Sequence, residues 1–346
     1  MDELTLLHTA RDLPPTALED LTGSRIALDR AIAGARPRAH ARVRVQRRVG
    51  WAVASVGLAA TLAVGLVATD MTGFGGTPHG ASAQAAELLT AAAATTIHTS
   101  DPVVGPTQYL RVDTNEISGN STSDSHGKVI GFLAQRTMSL YVPASEQSNW
   151  VYRRSLPVVF QTFGPESAAY ATKAEAAMFA EHGTTGEYYQ GLNANFQGRP
   201  EYTPASLATL PRDPQTLLSN LYSVNPGSGV SKDGEAFKQI IDVLTTGYAP
   251  ADLRAALYKA AALIPGVDVT EKDTTMDGRT GISIGRTETK NAERQDITID
   301  PNNGLVIGQR TVLLNGDEGY PAGTALMSTS VATTVVDSAP TSAQSK

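Results

Sequence analysis

Between Arg48 and Asp70 the chain runs 21 residues without a charge, VGWAVASVGLAATLAVGLVAT. At about 1.5 Å of rise per residue, a helix of that length covers roughly 30 Å, the hydrocarbon thickness of a bilayer. Gly50, Gly57 and Gly65 lie inside it. Each would cost a water-soluble helix about 1 kcal/mol relative to alanine, whereas glycine is common in membrane spans. They are seven and eight residues apart, not four, so the close-packing dimer pattern is absent. Residues 49–69 are expected to form one transmembrane helix.

Arginine gives the span a direction. Arg36, Arg38, Arg42, Arg44, Arg47 and Arg48 precede it, and the other flank, DMTGFGGTPHG, has no Lys or Arg. Positive flanks stay in the cytoplasm, so residues 1–48 are expected inside and residues 70–346 outside. Arg42, Arg44, Arg47 and Arg48 are the membrane-flanking cations, and Trp51 suits the interfacial belt at the inner boundary. A cleaved signal is the rival reading, because Ala81-Ser82-Ala83 has the small-x-small form of a cleavage site. That site lies well past the apolar run, and the leader before the run is 48 residues long, which suits a retained anchor better.

Composition narrows the chemistry. Cysteine is absent, which excludes disulfides, thiolate metal sites and cysteine nucleophiles. The net charge of -6 hides an asymmetry: residues 1–48 hold 9 Arg against 6 Asp+Glu, leaving 19 Lys+Arg against 28 Asp+Glu in the remainder. The arginines sit beside a span and lack interleaved aromatics, so topology explains them better than direct nucleic-acid binding.

The leader is too short for its own core. Thr16 and Glu19 form a capping-box pattern, and Leu18, Leu21, Leu28 and Ile32 recur as one narrow apolar stripe before Gly34 and Pro37 end the helix. A second, shorter helix is expected around Leu4, Leu6 and Leu7. The stripe fits either a cytoplasmic partner protein or the inner leaflet.

Beyond a linker at residues 70–83, residues 84–336 read as an α+β domain. An Ala-rich helix comes first, then strands in TQYLRVDTNEIS, VIGFLAQRTMSLYVP and WVYRR, with a polar loop over residues 118–127. Four helices follow: PESAAYATKAEAAMFAEHG, 214–222, DGEAFKQIIDVLTTG and APADLRAALYKAAALIPG. Strands return over 267–275, 280–288, 295–300, 305–314 and 324–336, and residues 337–346 form a disordered tail. Strands, a helical insert and more strands suggest an antiparallel sheet.

Catalytic signals are weak. GISIG matches the Gly-x-Ser-x-Gly elbow around Ser283, but the polar, strand-like RTETKNAERQDITI follows where a helix is required. The histidines, His8, His40, His79, His98, His126 and His182, show no metal-ligand spacing, and DTTMDGRTG lacks the calcium-loop pattern and reads as a turn. No catalytic, metal or cofactor site is expected. Trp150, Tyr152, Arg153 and Arg154 fit an edge strand better than a ligand groove.

AALIPGVDV, MDGRTGISIG and ITIDPNNGLVIGQRTVL, with the start MDELTLLHTARDLPP, resemble an actinobacterial family of largely uncharacterised single-pass membrane proteins. The resemblance implies association with extracytoplasmic-function sigma factors. It also implies an outer domain like the periplasmic sensor and lipoprotein-carrier fold, a curved antiparallel sheet with helices over one side. Residues 1–48 lack the His-x-x-x-Cys-x-x-Cys zinc motif of many anti-sigma domains. The implied function is an anti-sigma-like membrane regulator holding a cytoplasmic sigma factor through Leu18, Leu21, Leu28 and Ile32 and sensing an envelope ligand. The alternative is an anchored binder of lipid or another apolar molecule, without signalling.

Topology is open to direct test. An alkaline phosphatase fused after residue 346 should be active in cells, and one fused after residue 48 inactive. Replacing Arg42, Arg44, Arg47 and Arg48 with Ser should lower the first signal.

Overall fold

The computed structural model describes residues 80–123, 126–224, 229–316 and 319–342. The leader stripe Leu18, Leu21, Leu28 and Ile32, the cations Arg42, Arg44, Arg47 and Arg48, Trp51 and the apolar run 49–69 lie outside the described residues. No helix among the described residues is long and apolar enough to cross a membrane.

Helix α1 (Ala83–His98) leads into a meander of β1 (Tyr109–Ser123), β2 (Val129–Pro143) and β3 (Asn149–Arg154), followed by β4 (Val158–Thr162). Helix α2 (Pro165–His182) and strand β5 (Glu187–Leu192) follow. Next come α3 (Pro204–Ala208), α4 (Pro214–Val224), α5 (Lys232–Leu244) and α6 (Ala251–Ala261). A second meander closes the domain: β6 (Val267–Met276), β7 (Arg279–Glu288), β8 (Glu293–Ile299), β9 (Val306–Leu313) and β10 (Ala325–Val336). All the strands join one curved antiparallel sheet in the order β5-β3-β2-β1-β10-β9-β8-β7-β6, with β4 paired to β2. The class is α+β with a helical insert, as expected. Thr72–Lys346 form a compact unit by themselves.

Local chemistry sets the boundaries. Ser82 caps α1: its Oγ accepts from the Ala85 N–H at 3.2 Å and donates to Asp268 Oδ1 at 2.6 Å. The Ala81 and Ser82 N–H groups donate to the carbonyls of Ala262 and Val267 at 3.0 and 2.8 Å, so the end of the stretch read as linker is bonded into the domain. The turn expected at DTTMDGRTG is the β6–β7 hairpin. Asp277 and Gly278 hold φ of 51° and 75°, the two left-handed positions of a type I′ turn. At DPNNG, Asp300 Oδ1 accepts from the Asn302 N–H at 2.9 Å and joins β8 to β9.

The main core lies between α1, α4, α5, α6 and the β6–β9 half of the sheet. Leu89, Leu217, Phe237, Ile240, Leu253 and Leu257 bury against Val267, Ile284 and Ile297. At about 1.5–3 kcal/mol for each large side chain buried, this contact is the chief source of stability. Its polar members are satisfied. Tyr258 Oη donates to the Gly304 carbonyl at 2.7 Å. Arg254 binds Thr96 Oγ1 at 2.7 Å, Asp101 Oδ1 at 2.7 Å and the Ala249 carbonyl at 2.6 Å, tying the end of α1 to α6. A second cluster, Leu110, Val112, Val142, Trp150, Ala194 and Val331, lies over the β1–β3 half.

Two expectations are corrected. Residues 118–127 are not a loop throughout: β1 pairs with β2 as far as Ser123↔Val129. That end of the hairpin is largely exposed, so its strands need no apolar alternation. β3 is not an edge strand either. β5 pairs with it from Asn149↔Leu192 to Arg154↔Glu187, and β5 itself forms the edge. EYYQGL carries no strand signal, because it is only six residues long and lacks apolar alternation. β4 and α3, equally short, were missed for the same reason.

Trp150 is fully buried, and its indole N–H donates to the Glu146 carbonyl at 2.9 Å. Trp150→Ala should cost about 3–5 kcal/mol, read from the denaturant midpoint at unchanged slope.

Candidate functional site

Ser283 sits in the middle of β7 with no elbow turn around it. Its hydroxyl is buried between Thr274 Oγ1 at 2.7 Å and Thr298 Oγ1 at 2.8 Å. The glycines of the motif answer to packing. A Cβ on Gly281 would lie 2.5 Å from the Ile299 carbonyl, and one on Gly285 would collide with the Asp296 carboxylate. That carboxylate is fully buried, held by Arg294 Nε and Arg310 Nε at 2.9 Å each and by the Thr270 hydroxyl at 2.9 Å. GISIG is thus a strand built to admit a buried ion cluster. Among the described residues no group of three His, Asp or Glu side chains could hold a metal ion.

Among the described residues, one site with room for a ligand is a groove of about 340 Å³ between the sheet and α5, at the lower end of the range for small-molecule sites. Its floor comes from alternate residues of three neighbouring strands: Val112 on β1, Met138 and Leu140 on β2, and Tyr152 on β3. Register explains the grouping, since Val112 pairs with Leu140 and Leu140 with Tyr152, and paired residues share a face. One wall is α5, with Lys238 and Asp242 four apart on its exposed side and Thr245 just beyond. The other is the segment 198–202, ending in Glu201 and Tyr202.

Aromatic side chains hold these parts together. Tyr152 stacks between Tyr189 and Phe196, with ring centroids 6.3 and 6.1 Å apart. Trp150 meets Tyr248 edge-on at 6.4 Å. Tyr248 Oη donates to the Tyr202 carbonyl at 2.6 Å, which fixes the wall segment to the α5–α6 connection. The segment leaves β5 through Asn193 and Ala194, both left-handed at φ 54°. Ala194 gains no relief from a polar side chain there and is locked by burial in the Trp150 cluster.

Electrostatics divide the groove. At the Tyr152 end the cations are matched: Arg136 pairs with Glu116 at 2.7 Å and Arg154 with Glu187. At the α5 end Lys238 Nζ lies 2.6 Å from Asp242 Oδ2. Burial works against the Lys238 charge, but the Asp242 hydrogen bond and the fields of Asp242, Glu235 and Glu201 outweigh it and raise its pKa. Burial, reinforced by Glu201, Asp242 and Glu235, pushes the Tyr202 phenol up to about 12. Burial also raises Tyr152, against the pull of Arg154 and Arg136, and raises Tyr248.

Of the residues singled out on β3, Tyr152 lines the groove, Trp150 packs behind it and Arg154 pairs with β5. Lys238, Asp242, Glu201, Tyr202 and Tyr248 were not singled out, because no local motif marks them.

No family model matches the chain, and no curated protein matches it. Among solved structures it is similar to that of MucB, at 10% identity and a TM-score of 0.26, covering 75% of this chain and 61% of MucB. MucB in complex with MucA(peri) gives 10% identity and the same TM-score, covering 76% of this chain and 60% of that one. A DUF1329 family protein from Desulfovibrio piger gives 8% identity and a TM-score of 0.17, covering 72% and 92%. The chain spans about three fifths of the length of the MucB chains. At those scores nothing of these proteins' biology transfers to this chain.

The Tyr202 shift fixes a pH dependence. The unfolded phenol ionises near pH 10 and the folded one near 12, so the folded state binds more protons between these values. This contribution to stability is intact below about pH 10 and falls as pH rises toward 12. Denaturant midpoints should decline through that window, and Tyr202→Phe should flatten the decline. Separately, Ser283 should stay unlabelled by a fluorophosphonate probe in the folded protein, because its hydroxyl has no solvent access.

Proposed function

We propose that the chain is a single-pass membrane regulator that acts by binding, not catalysis. Residues 1–48 hold a cytoplasmic partner of the sigma-factor kind through the stripe Leu18, Leu21, Leu28 and Ile32. The α+β domain lies outside the membrane and senses a ligand at the groove over β1, β2 and β3. The observation that carries this reading is the uncharged run 49–69 with arginines on one flank only, standing between a leader too short for a core and a compact α+β unit. The accessible groove supports a binding role for that unit, and the buried, hydrogen-bonded Ser283 speaks against the one nucleophile motif.

The groove's apolar floor also favours a second reading, an anchored carrier of an apolar molecule without signalling. The full chain, solubilised from native membranes and captured, separates the two. The regulator retains a sigma factor, and Leu21→Asp with Leu28→Asp releases it while leaving the membrane fraction unchanged. Equal recovery of cytosolic proteins by both forms would reduce the leader to a topology signal and leave the carrier reading standing.

A further inference from the structure

The groove has a chemical polarity beyond its shape. Its floor of Val112, Leu140 and Met138 is apolar, and these residues come from adjacent strands, so it extends as a strip and not a point. Carboxylates stand at the α5 end, where Glu201 and Asp242 both line the groove. Among the described lining residues at that end only Lys238 opposes them, already paired with Asp242, which leaves two carboxylates against one ammonium. Arg199, on the same segment, is exposed and does not line the groove. At the other end Arg136 and Arg154 are neutralised by Glu116 and Glu187. The groove is therefore apolar along its floor, neutral at one end and negative at the other.

From this arrangement we infer that the groove binds a diffusible cationic amphiphile, with its apolar chain along Val112, Leu140 and Met138 and its ammonium head against Glu201 and Asp242. Anionic membrane lipids present the wrong sign to this rim. The assignment deepens the sensor reading and rests on it only for what the binding accomplishes. Binding here and capture of a cytoplasmic partner are measured separately, so either can fail alone.

The test uses the full chain in phosphatidylcholine nanodiscs and two photoreactive probes with the same diazirine-bearing octyl chain, one ending in trimethylammonium and the other in sulfate. Labelled peptides are mapped by mass spectrometry. The ammonium probe should label the segments around Met138–Leu140, Glu201–Tyr202 and Asp242, and should do so at a concentration about fivefold or more below the sulfate probe, the effect of one unit charge at close range in water-like surroundings. Glu201→Lys, which changes a partly apolar wall segment only at an exposed carboxylate, should weaken labelling by the ammonium probe and strengthen labelling by the sulfate probe, at an unchanged melting temperature. Equal labelling by both probes, no groove labelling by the ammonium probe, or indifference to Glu201→Lys in a folded variant would each overturn the assignment.

Discussion

The β1–β10 ladder joins the two ends of the domain, from Tyr109↔Val336 to Ser118↔Met327, and turns two separate meanders into one sheet. Neither meander could bury a full face alone, and the helices between them would have half a surface to cover. Closing a connection of that length costs loop entropy, which grows only slowly with length and is offset once β1, β10 and their neighbours pack.

Once joined, the sheet divides its surface between two tasks. Over β6–β9 the helices α1, α4, α5 and α6 press down and exclude solvent. Over β1–β3 the cover is thinner, a strap of irregular chain at 193–202 pinned by Tyr248, Trp150 and Tyr152. The groove exists because a strap cannot fill space as a helix does. Its two left-handed residues, Asn193 and Ala194, let the chain reverse from the sheet edge back across the face.

Buried charge follows a different rule on each part of the sheet. Asp296 is fully enclosed but meets two guanidinium groups and a hydroxyl, so its desolvation is compensated within the fold. At the groove the carboxylates remain near solvent and outnumber their protein partners. The first arrangement serves the sheet's own packing, and the second leaves a field available to a ligand.

The sequence alone determined the character of the longer elements and most of their boundaries, the far end of β1 excepted. VIGFLAQRTMSLYVP coincides with β2, and the strands expected from 267 to 336 match β6 to β10 within two residues at either end, because alternation and turn residues such as Asp277-Gly278 act over short spans. The helix signalled by Pro250 and Pro265-Gly266 is α6, though its regular turns end at Ala261. Short elements with little periodicity, β4, β5 and α3, were invisible in it. Tertiary structure alone decided that β3 is interior, that Ser283 is sealed between Thr274 and Thr298, and that Val112, Tyr152, Glu201 and Asp242 share one groove. Each of these depends on strand neighbours and helix placement across long sequence separations, and no local pattern of residue types encodes which distant segment will pair or pack.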